Sequence, residues 1–178
     1  RFCPGGELFD HIDSSGPLEG DQARSMFRQL LNGLLHLQDL GIGHRDMSLE
    51  NMLYDGQDLY VIIDFGMCLR LKRDPSGRYC NLHKQSICGK RNYISPEVLR
   101  EDATFNPMLS DIWAAGVILF IALTGVPPVD IATSADERFR MICDGRLQEM
   151  LNSWGLALDT RVVDLIQHIL RPNPLQRP

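Results

Sequence analysis

The chain has 178 residues, enough for about one domain, and its 44% hydrophobic content excludes a disordered polypeptide. A net charge of −5 argues against nucleic acid as the main partner. Five cysteines, an odd number with no Cys-x-x-Cys, argue against a disulfide framework and for a reducing, cytoplasmic setting. No signal-like segment, internal repeat or low-complexity stretch stands out.

In chain order, the first strong element is a long amphipathic helix from Leu18 to Leu40. Apolar residues recur at Ala23, Met26, Phe27, Leu30, Leu31, Leu34, Leu35 and Leu37, and Gly41 ends the run. A short strand and loop over 44–51 follow, then an apolar strand-like run from Leu59 to Ile63 that leads into Asp64. Residues 67–91 have no sustained period and carry Pro75, Gly77 and Gly89, so they read as a long exposed loop. The stretch from Ile112 to Val126 is nearly all apolar, yet it stops short of the roughly 20 residues a membrane span needs. An all-round apolar helix of that length is the pattern of a buried central helix, which we place at 111–126. Amphipathic helices over 135–151 and 160–170 complete the chain. The expected class is α+β, mainly helical with short β-hairpins.

The chemistry-bearing motif is HRDMSLEN at 44–51, followed by DFG at 64–66. It supplies a carboxylate that can take a hydroxyl proton (Asp46), an amide that can ligate a metal (Asn51) and a second metal carboxylate (Asp64). This order and spacing are those of a phosphoryl-transfer site. Both motifs in register, with a strand between them, are far more specific than DFG alone.

With these motifs the chain resembles the C-terminal lobe of a eukaryotic protein kinase, across essentially its whole length. PGGELFDHI near the start resembles the segment after the hinge in calcium/calmodulin-dependent, AMP-activated and cyclic-nucleotide-dependent serine/threonine kinases. Ser95-Pro96-Glu97 stands where the family has Ala-Pro-Glu, and Asp111 to Gly116 where it has Asp-x-Trp-Ser-x-Gly. RPNPLQRP at the end resembles the Asp-Pro-x-x-x-Arg-Pro element, with Arg171 in place of the Asp. The resemblance implies a kinase-like domain over 1–178, with a catalytic loop at 44–51 and an activation segment at 64–97. The glycine-rich loop, strand lysine and partnering glutamate of the N-terminal lobe are not in the sequence, so the isolated chain is expected to have little or no activity.

The resemblance further implies ATP and Mg²⁺ as cofactors and protein serine or threonine as substrate, with Asp46 as base and Asn51 and Asp64 as metal ligands. His44 and Phe65 fall at packed structural positions. Leu53 matches the apolar floor under adenine, and Glu7 and Glu50 lie where relatives hold ribose hydroxyls or a substrate arginine. Two acids near the peptide path favour basic substrates, moderately so, since Ile121 replaces a third acid. Glu97 and Arg177 match a buried ion pair, and Asp111 an aspartate that binds the catalytic-loop backbone. Arg45 resembles the arginine that grips a phosphorylated activation loop, with Ser86 as the phosphosite and Ser76 and Tyr79 as weaker candidates. An upstream activating kinase is thereby implied. The basic residues Arg70, Lys72, Arg73, Arg78 and Lys84 read as a self-repelling loop or a solvated face.

Two departures stand beside the expected base. Serine/threonine kinases usually carry Lys two residues after the catalytic aspartate, where this chain has Ser48. They carry Thr in Gly-Thr-Pro, where this chain has Lys90. Lys90 is therefore a candidate catalytic cation in place of the missing lysine. The alternative is a pseudokinase or truncated interaction module; tyrosine specificity ranks below both, given Ser48 and Glu50. Cys80, His83 and Cys88 are three soft ligands in an open loop, too few for a structural zinc site.

Overall fold

The computed structural model describes residues 2–178 and opens with a short helix, α1 (Leu8–Ser15), followed by the long α2 (Gly20–Asp39). A capping box starts α2: the Glu19 side chain accepts from the Gln22 backbone, and the Gln22 side chain accepts from the Glu19 amide. Its buried stripe is Ala23, Met26, Phe27, Leu30, Leu34 and Leu37. Leu31 and Leu35, which share the apolar spacing, stay exposed on its flank.

Three two-stranded antiparallel ribbons hold the loops. β2 (Met52–Tyr54) and β3 (Tyr60–Ile62) form a local hairpin, with Leu53 opposite Val61. Its turn closes because Asp55 Oδ1 accepts from the amides of Gln57 and Leu59. The other two ribbons join distant segments: β1 (Ile42–Gly43) pairs with β4 (Leu69–Arg70), and β5 (Leu82–His83) with β6 (Thr104–Phe105). Residues 67–91 are thus mostly exposed, as expected, but tied down at both ends. Three of their basic side chains have partners: Arg73 donates to Gly77 O and Tyr79 Oη, Arg78 faces Asp74, and Lys84 lies 2.9 Å from Glu101. The picture of a merely self-repelling or solvated basic loop is corrected to that extent.

After the four-residue α3 (Pro96–Leu99) comes the central helix, α4 (Pro107–Thr124). It begins four residues before the expected 111, because Asn106 caps the Met108 amide and Pro107 takes the first turn, where its missing N–H costs nothing. It ends at Thr124 rather than 126, with Gly125 in the left-handed conformation. By length and composition α4 could cross a membrane, but 78% of its apolar window is buried inside the protein. Trp113, Val117, Ile118 and Phe120 are fully buried, and Ile121 nearly so, with α2 and the last helix, Thr160–Ile169, packed against it. Its uniform apolarity reflects neighbours on all sides.

The helix expected over 135–151 is two helices, α5 (Glu137–Cys143) and α6 (Leu147–Ser153). The break falls at Gly145, whose φ of 75° is incompatible with continuing α-helix. Apolar spacing carries through the break, since Phe139, Ile142, Leu147, Met150 and Leu151 all enter the core, so periodicity alone could not detect it. The last helix, α7 (Thr160–Ile169), starts with Asp159 accepting from the Arg161 amide.

Candidate active site

Residues 44–51 hang from α4 by one buried carboxylate. Asp111 Oδ2 accepts from the His44 amide at 2.6 Å and Oδ1 from the Arg45 amide at 2.8 Å. Burial pushes this carboxyl up to about 7, while the two amides pull the other way. The anchor holds a strained backbone: Arg45 has a φ of 69°, a left-handed conformation that costs a non-glycine residue on the order of 1–3 kcal/mol. Arg45 reaches over the activation segment, where its guanidinium donates to Ser86 O at 2.8 Å and Met67 O at 3.4 Å.

His44 is fully buried, and its tautomer follows from its contacts. Nε2 lies 2.9 Å from the Ile63 carbonyl, which only accepts, so Nε2 carries the proton; Nδ1 accepts from the Asp46 amide at 3.3 Å. Burial lowers its pKa below the ordinary value, with the Ile63 hydrogen bond opposing. A neutral imidazole wedged between two loops is a spacer, as expected. Phe65 meets it edge-on at 5.2 Å between ring centres, yet is half exposed, so its expected packing is only partly present.

The central groups come from residues 46, 51 and 64, and the Ile63 amide donating to Asn51 O at 3.0 Å ties the residue before Asp64 to the loop. Asn51 Nδ2 donates to the Asp46 carbonyl at 2.7 Å and to Asp46 Oδ2 at 2.9 Å, which clamps the carboxylate in place. Asp46 Oδ1 is buried and has no hydrogen-bond partner among the described residues. An acceptor held in place with one unfilled oxygen can receive a hydroxyl proton. With its amide nitrogen used on Asp46, Asn51 keeps Oδ1 for another ligand. Asp64 is exposed, sits at φ 60°, and uses only Oδ1, on the Gly66 amide at 3.1 Å. These two oxygens would suit Mg²⁺, a hard ion that prefers oxygen ligands. No cluster of three His, Cys, Asp or Glu able to hold a metal occurs among the described residues.

Glu7 and Leu53 are brought together by an isolated antiparallel bridge, both half-buried on one edge of the β2–β3 hairpin. Glu50 lies on the other side of the loop, with Oε2 buried and unpartnered among the described residues. The segment over 64–97 touches the 44–51 loop at Cys88 and Gly89. The Cys88 thiol, kept protonated by burial, donates to Arg45 O at 3.7 Å. Gly89 has a φ of 92°, and a Cβ there would sit 3.0 Å from the same carbonyl, so only glycine fits. Lys90 follows, and its ammonium donates to Ser48 Oγ at 3.0 Å. The two departures noted in the sequence are thus in direct contact.

Ser86 is exposed, while the weaker phosphosite candidates are engaged: Ser76 donates to Asp74, and Tyr79 donates to the Asp39 carbonyl. That Tyr79 contact, with the Arg73 guanidinium 4.1 Å above its ring, pins the loop to the end of α2. It went unread in the sequence, where a lone Tyr among basic residues gives no sign of where the loop folds back.

At the base of the site, Arg177 meets Glu97 through two parallel hydrogen bonds of 2.7 Å. Ser110 also donates to Glu97, and Arg177 continues to the Leu109 and Arg171 carbonyls. Burial pushes the Glu97 carboxyl up, but the Arg177 contacts outweigh it and hold the group below its usual range. Arg171 serves here through its backbone carbonyl, which gives a reason why its side chain can differ from the family's Asp.

A helical body with three small ribbons, carrying a loop that hangs from its central helix, is the architecture of the large lobe of a protein kinase. A protein kinase domain model matches residues 1–178, and the chain belongs to that family. Among its relatives are CBL-interacting serine/threonine-protein kinase 1 of Arabidopsis thaliana, 38% identical over 99% of this chain, and CBL-interacting protein kinase 17 of Oryza sativa subsp. japonica, 36% identical over 99%. The chain spans 37% of the length of each of these two relatives.

Proposed function

We propose that the protein carrying this chain transfers the γ-phosphoryl group of MgATP to serine or threonine hydroxyls of protein substrates. The observation that carries this is the Asp46–Asn51 clamp, which fixes a carboxylate with one free buried oxygen, while the Ile63 amide on Asn51 O ties the residue before the exposed Asp64 to the same loop. In this role Asp46 orients the substrate hydroxyl and takes its proton. Asn51 Oδ1 and Asp64 would hold Mg²⁺, which when bound neutralises phosphate charge. Leu53 and Glu7 are suited to the adenine and ribose edges, and Glu50 to a basic residue of the substrate. The name of the Arabidopsis thaliana relative, a serine/threonine-protein kinase, supports serine/threonine specificity. Five free cysteines support a reducing, cytoplasmic setting. The test is turnover by the full-length protein with MgATP and a peptide library. Wild type is expected to exceed an Asp64→Ala control clearly, and equality of the two would make this a non-catalytic member.

Ser86 is the proposed site of activation by an upstream kinase. Arg45 already reaches its backbone carbonyl at 2.8 Å, so a phosphate on the side chain lies within a small rearrangement of that guanidinium. Ser86→Ala protein treated with the activating kinase is expected to stay near its basal rate. Full activation of that variant would remove Ser86 from the scheme.

A further inference from the structure

Lys90 is placed as few surface lysines are. Its backbone is fixed on one side by Gly89, whose missing Cβ lets the chain press against Arg45 O. On the other side the Tyr93 amide donates to the Lys90 carbonyl at 2.9 Å and starts the short helical turn of residues 91–93. From there the half-buried side chain runs inward to Ser48 Oγ, a fully buried hydroxyl. Ser48 stands two residues after Asp46, on the turn closed by the Asn51 amide on Ser48 O. Asp46 and Lys90 line the same small cavity, about 30 Å³ in volume, and the ideal Cβ position at Gly89 is 3.7 Å from the unpartnered Asp46 Oδ1.

What the ammonium lacks is as telling. Among the described residues Lys90 makes no ion pair, and its one hydrogen bond goes to a neutral hydroxyl. A lysine that serves the fold near a buried loop is normally paired with a carboxylate. Here a full positive charge is held by an uncharged anchor, with two of its three protons uncommitted, in a cavity it shares with the Asp46 carboxylate and with Arg45. Such a cation is arranged for an anion that arrives from outside.

We propose that Lys90, held by Ser48 as its positioning residue, is the cation that stabilises the phosphoryl group in transit between nucleotide and substrate. The inference rests on the phosphotransfer reading above. In the step, the substrate hydroxyl oxygen forms a bond to the γ-phosphorus and its proton passes to Asp46. The bond from phosphorus to the β,γ-bridging oxygen breaks, its electron pair leaving with ADP. Lys90 keeps its protons throughout and donates two of them to the phosphoryl oxygens, where charge is greatest in the transition state.

The test uses the full-length protein with Lys90→Met, Ser48→Ala and the exchange variant Ser48→Lys/Lys90→Thr. Lys90→Met is expected to lower kcat about 10²-fold, the scale for losing one preorganised transition-state donor, while KM for ATP moves by less than about threefold. Ser48→Ala should lower kcat less, because the cation remains but is no longer aimed. The exchange variant should recover much of the loss. A binding measurement separates this from a folding effect: aluminium fluoride, which mimics the planar phosphoryl group, should tighten MgADP binding to wild type in calorimetry and fail to do so in Lys90→Met, with MgADP alone bound equally by both. Unchanged kcat or an unchanged aluminium fluoride effect in Lys90→Met, in a protein whose wild type turns over, overturns the role of Lys90 and leaves the kinase reading intact. Wild type without turnover above Asp64→Ala overturns both.

Discussion

Replacing Asp46 with asparagine in the full-length protein is expected to lower kcat by at least about 10²-fold, the lower range for a general base. The substitution keeps the shape and an oxygen for Asn51 Nδ2, so the loop has no steric reason to move. What is lost is the capacity of the unpartnered Oδ1 to receive a proton and the negative charge that orients the hydroxyl. KM for ATP should change little, because Asp46 is not among the residues suited to the nucleotide. Steady-state kinetics with peptide substrate, alongside a thermal melt to establish that folding is unaltered, measure this. A variant with wild-type kcat would show that Asp46 takes no part in proton transfer.

The largest effect on stability is expected at Arg177. Its side chain is completely buried, and Arg177→Met removes the partner of an equally buried Glu97 while leaving that carboxylate in place. Stranding one charge of such a pair costs about 3–5 kcal/mol. For a domain of this size that corresponds to a fall in Tm of roughly 6–20 °C. The double variant Glu97→Gln/Arg177→Met should recover part of the loss, since no charge is then left unpaired, although the Leu109 and Arg171 carbonyls still lose their donor. Glu97 belongs to the end of the activation segment and Arg177 lies 80 residues on, so the single variant should also loosen the loop that carries Lys90. Chemical denaturation of both variants decides the matter: a single variant as stable as wild type would reduce the pair to a dispensable contact.

The acid destabilisation implied by these groups has a definite sign for Glu97. Its folded pKa is held below the unfolded value, so its contribution is present above the ordinary carboxylate range and is lost as pH falls through the lowered folded value.

How much the sequence disclosed differs by residue, and the differences have physical causes. Asp46, Asn51 and Asp64 were legible because their chemistry demands fixed residue types at short, fixed offsets along one loop and one strand. α2 was legible almost to the residue, because its apolar stripe and the Gly41 that ends it are local signals that agree. The split between α5 and α6 was missed because both halves bury residues on one continuing spacing, and only the left-handed backbone at Gly145 separates them. The early start of α4 was missed because Pro107 to Ser110 lie outside the apolar run, and their helical state depends on the Asn106 cap.

By itself the sequence determined the family and the helical character of the chain and marked residues 44–51 as the candidate catalytic loop, since these rest on motifs and periodicities confined to short stretches. Tertiary structure alone decided which distant groups meet. It set Asp111 under the His44 and Arg45 amides, bent Arg45 to Ser86, folded Tyr79 back onto the end of α2, and brought Lys90 to 3.0 Å from Ser48. Each of these contacts joins segments 40 or more residues apart through a single hydrogen bond or pair of bonds. Such contacts leave no periodic trace in the chain, and they exist only because the packing of α2, α4 and α7 fixes the distances between the loops.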